Sequence, residues 1–405
     1  MDIAFSDFVI KYFMPKNIKT YLKIAAKDYT SRSVNPPVVR ASTILFKTMQ
    51  ELRKHQKDLA KGKDVKYWDY GRQGTQTTIQ LQKMLRGLEE AYQVFLTPTG
   101  FAAVALTIMS ICRPGDEILI SDGVYRPTQK ITEDLLKEFN VKTIWYNPNS
   151  FEALKSKVTK KTKLIYVENP GSNTFEINDL GKIISFAKSK SILTAIDNTW
   201  ATAYFFKPLK LGFDISITSA TKYYSGHSDV MGGTVAVNKK AYKKVWWYNH
   251  VSGYRMSPDD AYLIIRGLRT LDIRMEKHQE SAKKVISFLK TQRKVSKILY
   301  PYKTGSREFK LWKKYYSGAS GLLSLIIKSK SRNSVYKFVN TLELFGIGYS
   351  WGGFESLAVY TDPVELGNRR YFKLEKNEHL VRLHIGLEDP KDLTNDLKSS
   401  LKFVK

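Results

Sequence analysis

The run DISITSATKYYSGHSD, residues 214–229, opens with an apolar core at Ile215 to Ile217 and passes at once into Ser219, Thr221 and Lys222. A strand that ends this way carries its chemistry at one edge. Three further runs repeat the design: EILISDGVY (117–125) with its core at Ile118 to Ile120, KLIYVENPGS (163–172) at Leu164 to Val167, and LTAIDNTW (193–200) at Leu193 to Ile196. Helical stretches separate them between about residues 80 and 240. Short apolar strands alternating with helices predict an α/β fold with a mostly parallel sheet flanked by helices. Open sheets of this kind bind ligands at the carboxyl ends of their strands, so Tyr125, Asp197 and Lys222 are expected to meet in one cleft.

Beyond about residue 265 the rhythm loosens. A long helix is predicted over 268–291, then a strand in GLLSLIIK, a helix near 335–344 and a strand in HLVRLHIG, which together read as a smaller α+β domain. In VRLHI, Val381, Leu383 and Ile385 alternate with Arg382 and His384, so the two basic side chains face away from the core side. The last helix begins with Asp389 as N-cap and Pro390 behind it and buries Leu393, Leu397 and Leu401. Residues 1–72 look different, with a Pro36-Pro37 break and a charged amphipathic stretch over 48–63, and read as an N-terminal arm that needs a neighbour. The expected division is 1–72 arm, 73–265 large domain and 266–405 C-terminal domain.

With 405 residues, 42% hydrophobic and 26% charged, the chain is long enough for two packed domains and too apolar to be disordered. Its longest nearly apolar stretch, 101–112, is a dozen residues, too short for a membrane-spanning helix. The first residues, MDIAFSDFVIKYFMPK, lack the pattern of a secretory signal. Cys112 is the only cysteine, which rules out an intrachain disulfide and fits a cytoplasmic setting. The net charge of +28 would permit nucleic-acid binding, but the basic residues are mostly lysines scattered along the chain, without a nucleic-acid-binding motif. They read as a solvated surface, with no nucleic-acid or membrane partner expected.

The six histidines show no paired spacing for zinc, no GxSxG elbow occurs, and Cys112 follows an apolar run where a buried inert thiol is expected. GIGYSWG near Gly346 lacks the third glycine of a dinucleotide fingerprint at its proper place. No metal site is expected. What remains is Lys222, placed at a strand end beside two hydroxyls, Ser219 and Thr221, that can ligate phosphate. A lysine so held suits a Schiff base with an aldehyde cofactor, and pyridoxal 5'-phosphate is the candidate. Asp197 at a neighbouring strand end either pairs with a protonated pyridine nitrogen or simply caps a turn. The turn at Gly100 opens onto an apolar helix whose first amides either bind the phosphate or only begin a core helix. Tyr125 either stacks on a planar ring or packs.

The combined motifs resemble the pyridoxal-phosphate enzymes of cysteine and methionine metabolism from about residue 66 to the C-terminus. They are Tyr70-Gly71-Arg72 with Gly74 and Thr75, ENPGS at 168–172, Asp197-Asn198-Thr199-Trp200, the run 219–229, RGLRTL at 266–271, YSWGG at 349–353 and RLHIGLED at 382–389. The resemblance implies a fold type I architecture with a seven-stranded sheet. It implies that Lys222 carries the cofactor, Asp197 pairs with its ring nitrogen and Tyr125 stacks above it, with Gly100, Phe101, Thr199, Ser219 and Thr221 completing the cofactor site. Tyr70 and Arg72 would reach the phosphate in a neighbouring subunit, implying a homotetramer built from dimers that share active sites. Arg382 would fork the substrate α-carboxylate, with Ser350 and Trp351 lining the same pocket.

Lys222 and Tyr125 would be the catalytic residues of a carbon–sulfur lyase acting on cystathionine and yielding homocysteine, pyruvate and ammonia in methionine biosynthesis. The Trp351 context favours attack at the β carbon over the γ-lyase or γ-synthase reaction of the same family. His250 stands where an aromatic residue is expected in close relatives. It reads as a solvent-exposed loop histidine or as a mark of an altered distal pocket. A broader pocket would admit cysteine desulfhydration or alanine racemisation as side activities. A basic nucleic-acid-binding protein is the reading from another class.

Overall fold

The computed structural model describes residues 17–26, 33–60, 68–301, 306–366 and 369–405. Seven strands form the larger sheet: β1 (Gln93–Thr97), β2 (Glu117–Ser121), β3 (Lys142–Tyr146), β4 (Thr162–Glu168), β5 (Leu193–Asp197), β6 (Ile215–Ser219) and β7 (Gly233–Val237). Their order is β1-β7-β6-β5-β4-β2-β3. The strands from β3 across to β6 are parallel, and β7 runs antiparallel to both β6 and β1. The four expected strands are β2, β4, β5 and β6. The short runs of β1, β3 and β7 were not anticipated.

Every residue of β2 and β7 is buried, as a sheet covered on both faces requires. One face packs against the helices Gly100–Ile111 and Lys239–Ser252 through Ala103, Val104, Leu106, Ala241 and Val245. Cys112 follows the first of these helices, buried as expected, and burial pushes its thiol up to about 12. The other face packs against the helices Gln76–Glu89, Leu180–Ser189 and Pro258–Leu268. That core continues without a break into the second sheet, taking in Leu323, Leu325, Val381, Leu383 and Leu397. Residues 265 and 266 lie within one helix of this shared core.

The second sheet is antiparallel, with β8 (Val295–Leu299), β9 (Leu322–Lys328), β10 (Leu357–Thr361) and β11 (Glu378–His384) in the order β10-β11-β9-β8. On β11, Val381 and Leu383 are fully buried in the core, and Arg382 and His384 do point the other way. That other way is not solvent. His384 is only 1% exposed, because residues 349–353 cover it.

The helix expected over 268–291 is in fact the end of one helix, Pro258–Leu268, and the whole of another, Leu271–Leu289. The break has a visible cause. The Gly267 carbonyl accepts from the Thr270 amide at 3.1 Å and from the Arg274 guanidinium at 2.7 Å. Gly267 is needed there, since a Cβ would lie 2.2 Å from the Ser225 carbonyl oxygen. The helix near 335–344 spans Arg332–Asn340. After it, the amides of Glu343 and Leu344 donate to Asp396 instead. The amphipathic stretch over 48–63 is helical as Met49–Ala60, with 61–63 outside the described residues.

The terminal helix Pro390–Leu401 matches its expected pattern: Asp389 accepts from the Lys391 amide, and Leu393 and Leu397 are fully buried. Leu397→Ala is expected to cost about 2–5 kcal/mol through lost burial and a residual cavity. A fall in the urea midpoint of the helical signal measures it, and an unchanged midpoint would contradict this packing.

Candidate active site

The carboxyl ends of β2, β4, β5 and β6 open into a cavity of about 470 Å³ that is closed by residues 349–351 and by Arg382 of β11. Gly100, Phe101, Tyr125, Asp197, Thr199, Ser219, Thr221, Lys222, Ser350, Trp351 and Arg382 all line it. Residues from both sheets therefore meet where the topology reverses, β2 having β3 on one side and β4 on the other.

One wall is built for an anion. Thr99 caps the helix Gly100–Ile111 by accepting from the Ala102 amide, and the first turn of that helix faces Ser219. The approach is so close that a Cβ on Gly100 would lie 2.4 Å from Ser219 Oγ. Glycine alone allows the helix amides and the Ser219 hydroxyl to come together around one small group, while the Thr221 hydroxyl, which also lines the cavity, donates to the Gly232 carbonyl oxygen at 3.2 Å and accepts from the Gly232 amide at 3.0 Å. β6 ends at Ser219, so Thr221 lies in the turn that follows. It reaches the cavity all the same.

Asp197 sits at the end of β5 with Oδ1 accepting from the Thr199 amide at 2.9 Å and from the Thr199 hydroxyl at 2.6 Å. Thr199 Oγ1 in turn accepts from the Ser219 amide at 2.9 Å, tying β5 to β6. Burial raises the Asp197 carboxyl above its ordinary value, and the two Thr199 hydrogen bonds pull it back. Such a carboxylate gains from a cationic partner.

Sequence reasoning singled out Glu168 only within a motif, yet it is the register neighbour of Asp197 and accepts from the Tyr125 amide at 2.6 Å. Burial, followed by repulsion from Asp197, pushes its carboxyl well above the usual range. The signal was a carboxylate ending a buried strand, as in β5. The Tyr125 phenol is also raised, first by desolvation and then by Glu168, so it is held in its protonated form.

Lys222 Nζ donates to Ser350 Oγ at 2.6 Å and lies 5.5 Å from the Trp351 ring centre. Its pKa falls from 10.5 to about 8, because burial and the Arg382 charge outweigh the pull of Asp197. An amine near neutrality can act as a nucleophile or base, which a solvated lysine cannot do well. Arg382 Nη2 donates to the Ser350 carbonyl oxygen at 3.2 Å.

Tyr70 and Arg72 are not brought into this cavity. Tyr70 is half-exposed beside the single turn Gly71–Gln73, and Arg72 Nη1 donates to the His250 carbonyl oxygen at 3.2 Å. His250 is not in a loop: it closes the helix Lys239–Ser252 and stacks on Trp246, with ring centres 5.4 Å apart.

The cavity's donor set fits pyridoxal phosphate: an amine of lowered pKa, a buried carboxylate, and a glycine-dependent cradle of amides and hydroxyls. Comparison with known proteins agrees. Residues 20–402 match the family described as Cys/Met metabolism PLP-dependent enzyme. A putative cystathionine beta-lyase of Rhizobium johnstonii is 38% identical over 369 residues, 90% of each chain. Cystathionine beta-lyase MetC of Escherichia coli is 35% identical over 383 residues, 94% of this chain and 96% of the relative. The crystal structure of cystathionine gamma synthase from Xanthomonas oryzae pv. oryzae superposes with a TM-score of 0.87 at 28% identity, covering 96% of this chain and 99% of that one.

Two outcomes are expected. In cofactor-free protein, the rate at which Lys222 captures pyridoxal phosphate should rise with pH and level off above about 8, as followed by absorbance. A rate still climbing toward 10.5 would mean that the amine is solvated. Gly100→Ala should weaken cofactor retention about tenfold or more in equilibrium dialysis, a loss on the order of 1.4 kcal/mol for the phosphate hydrogen bonds it displaces.

Proposed function

The chain belongs to the family of PLP-dependent enzymes of Cys/Met metabolism, which includes carbon–sulfur lyases, and on that premise we propose that it cleaves L-cystathionine at the β carbon of its cysteine-derived half. The products would be homocysteine, pyruvate and ammonia. The observation that carries the reading is the meeting of Lys222, Asp197 and Arg382 in one cavity, with the lysine amine donating to Ser350 Oγ beside Trp351.

When bound, pyridoxal phosphate supplies an electron-poor ring that stores the electron pair left as the Cα proton departs. Gly100, Phe101, Ser219 and Thr221 would hold its phosphate, and Asp197, steadied by Thr199, would keep its ring nitrogen protonated. Arg382 would fork the substrate α-carboxylate and so turn Cα toward Lys222. Lys222 would remove the Cα proton. Tyr125, with its phenol held protonated, is suited to give a proton to the departing sulfur, a role also open to the lysine once it is charged. With Cβ–S broken, the three-carbon fragment takes up water and falls to pyruvate and ammonia.

The same wall favours β over γ chemistry. Elimination at the γ carbon needs a further proton moved at Cβ, so the base must travel along the substrate. The Trp351 ring, 5.5 Å from Lys222 Nζ, would crowd that path in this reading. The γ-acting structural neighbour keeps the γ-lyase or γ-synthase reaction as the second reading.

Tyr70 and Arg72 are assigned to the cofactor phosphate of an adjacent subunit, in a homotetramer whose pairs share active sites. The three-part division at 72 and 265 and a cytoplasmic location belong to the same proposal. Among the described residues no helix is long and apolar enough to cross a membrane.

Incubation with cystathionine tests the reaction. Pyruvate with homocysteine is expected, and 2-oxobutyrate with cysteine would establish the γ reading instead. Arg382→Lys should raise KM about 30-fold, roughly 2 kcal/mol for loss of the two-pronged bond, and change kcat less. Steady-state kinetics read both values.

A further inference from the structure

Residues 349–353 carry Ser350 and Trp351, two of the groups nearest the Lys222 amine, and their backbone is under constraint. Ser350 is held at φ +83 and Gly352 at φ +89, conformations that side chains rarely tolerate. A Cβ on Gly352 would lie 2.9 Å from the Tyr223 nitrogen and 3.1 Å from Lys222 Cα. The segment therefore rests directly on the backbone of the lysine. Something must press it there, because a non-glycine residue in such a conformation persists only where its surroundings fix it.

β11 supplies the fixing groups, two residues apart on one face. Arg382 donates to the Ser350 carbonyl oxygen. His384, buried to 1% exposure, brings Nε2 to 3.0 Å from the Gly352 nitrogen and 3.2 Å from the Gly353 carbonyl oxygen. The Gly352 amide can only donate, so Nε2 offers it a lone pair and the ring is neutral with its proton on Nδ1; in that tautomer the Gly353 carbonyl oxygen is a packing neighbour rather than a partner, and the buried Nδ1 has no hydrogen-bond partner among the described residues. Burial is the first cause that holds its pKa well below the ordinary histidine value, and the charged groups around it act in the same direction. His278 lies with its ring centre 5.2 Å away and Tyr223 at 5.9 Å, and Arg382 and Lys222 add positive charge nearby. Behind Tyr223, the Arg274 guanidinium donates to the Tyr223 carbonyl oxygen at 2.8 Å. Tyr223 itself lies between His384 and Trp351, 5.5 Å from the indole.

We propose that His384 is a positioning residue: through its single acceptor nitrogen it clamps residues 350–353 onto the backbone of Lys222, and so keeps Ser350 and Trp351 close around the amine. The inference rests on the assignment of Lys222 as the cofactor-bearing base. It extends the site to a residue that touches neither substrate nor cofactor.

Two variants of similar size separate the clamp from mere packing. His384→Leu fills the space without an acceptor, and His384→Gln can place Oε1 where Nε2 stands. Both are read as the cofactor-loaded enzyme by the pH midpoint of the bound cofactor's absorption band, and by kcat and KM. In His384→Leu the loosened wall should admit water and raise the midpoint by about half a unit or more, since hydration favours the protonated, cationic nitrogen. In the same variant kcat should fall about tenfold with KM within about twofold, because Arg382 still holds the carboxylate. His384→Gln should restore both readings most of the way. A wild-type midpoint and kcat in His384→Leu would overturn the proposal, as would equal damage in both variants. The absorption reading does not depend on the substrate, so unexpected products from cystathionine would sink the proposed reaction without touching this inference.

Discussion

An amine in water is mostly a cation up to about pH 10, and a protein that needs it uncharged can remove the water around it and place another positive charge near it. Lys222 meets both conditions. The strand order brings its turn to the floor of a cavity, and β11 brings Arg382 across from the other sheet. Neither sheet alone could do this. The shared core that runs from the larger sheet into the smaller one is what fixes the separation of the two cations, so packing far from the cavity sets the chemistry inside it.

The same logic explains why so many close approaches converge on the turn after β6. Gly100 lets a helix end come against Ser219, Gly267 lets a second helix rest on the Ser225 carbonyl, and Gly352 lies against Lys222 itself. Each is a point where a methyl group would push the turn outward. Arg274, reaching the Tyr223 carbonyl, fastens the turn from below. The lysine is held by its backbone before any ligand is considered.

Much of this was legible in the sequence, for definite reasons. β2, β4, β5 and β6 announce themselves because strands buried on both faces are nearly continuous apolar runs. β1, β3 and β7 escaped although QVFLT, KTIWY and GTVAV are as long as β2, β5 and β6, and β7 is as buried as β2, so neither length nor burial is the reason. Cavity residues at strand ends could be foreseen from position alone, which is why Tyr125, Asp197 and Lys222 were named together. Glu168 and His384 escaped as site residues because their importance lies in being buried polar groups with backbone partners, and burial of that kind is set by segments distant in sequence. The broken helix at 269–270 escaped for the same reason: its cause is the Arg274 side chain taking the Gly267 carbonyl. Tyr70 and Arg72 stand outside the cavity of their own chain, where no reading of periodicity would have put them.

The buried Cys112 bears on the company this family keeps. Sulfur-containing amino acids release or carry thiols, and a thiol pool exchanges with protein sulfhydryls through the thiolate. The chain offers one sulfhydryl in all, shut behind the helix Gly100–Ile111 and with its ionisation pushed up to about 12. Mixed disulfides with small thiols or their oxidised dimers therefore have little foothold at Cys112.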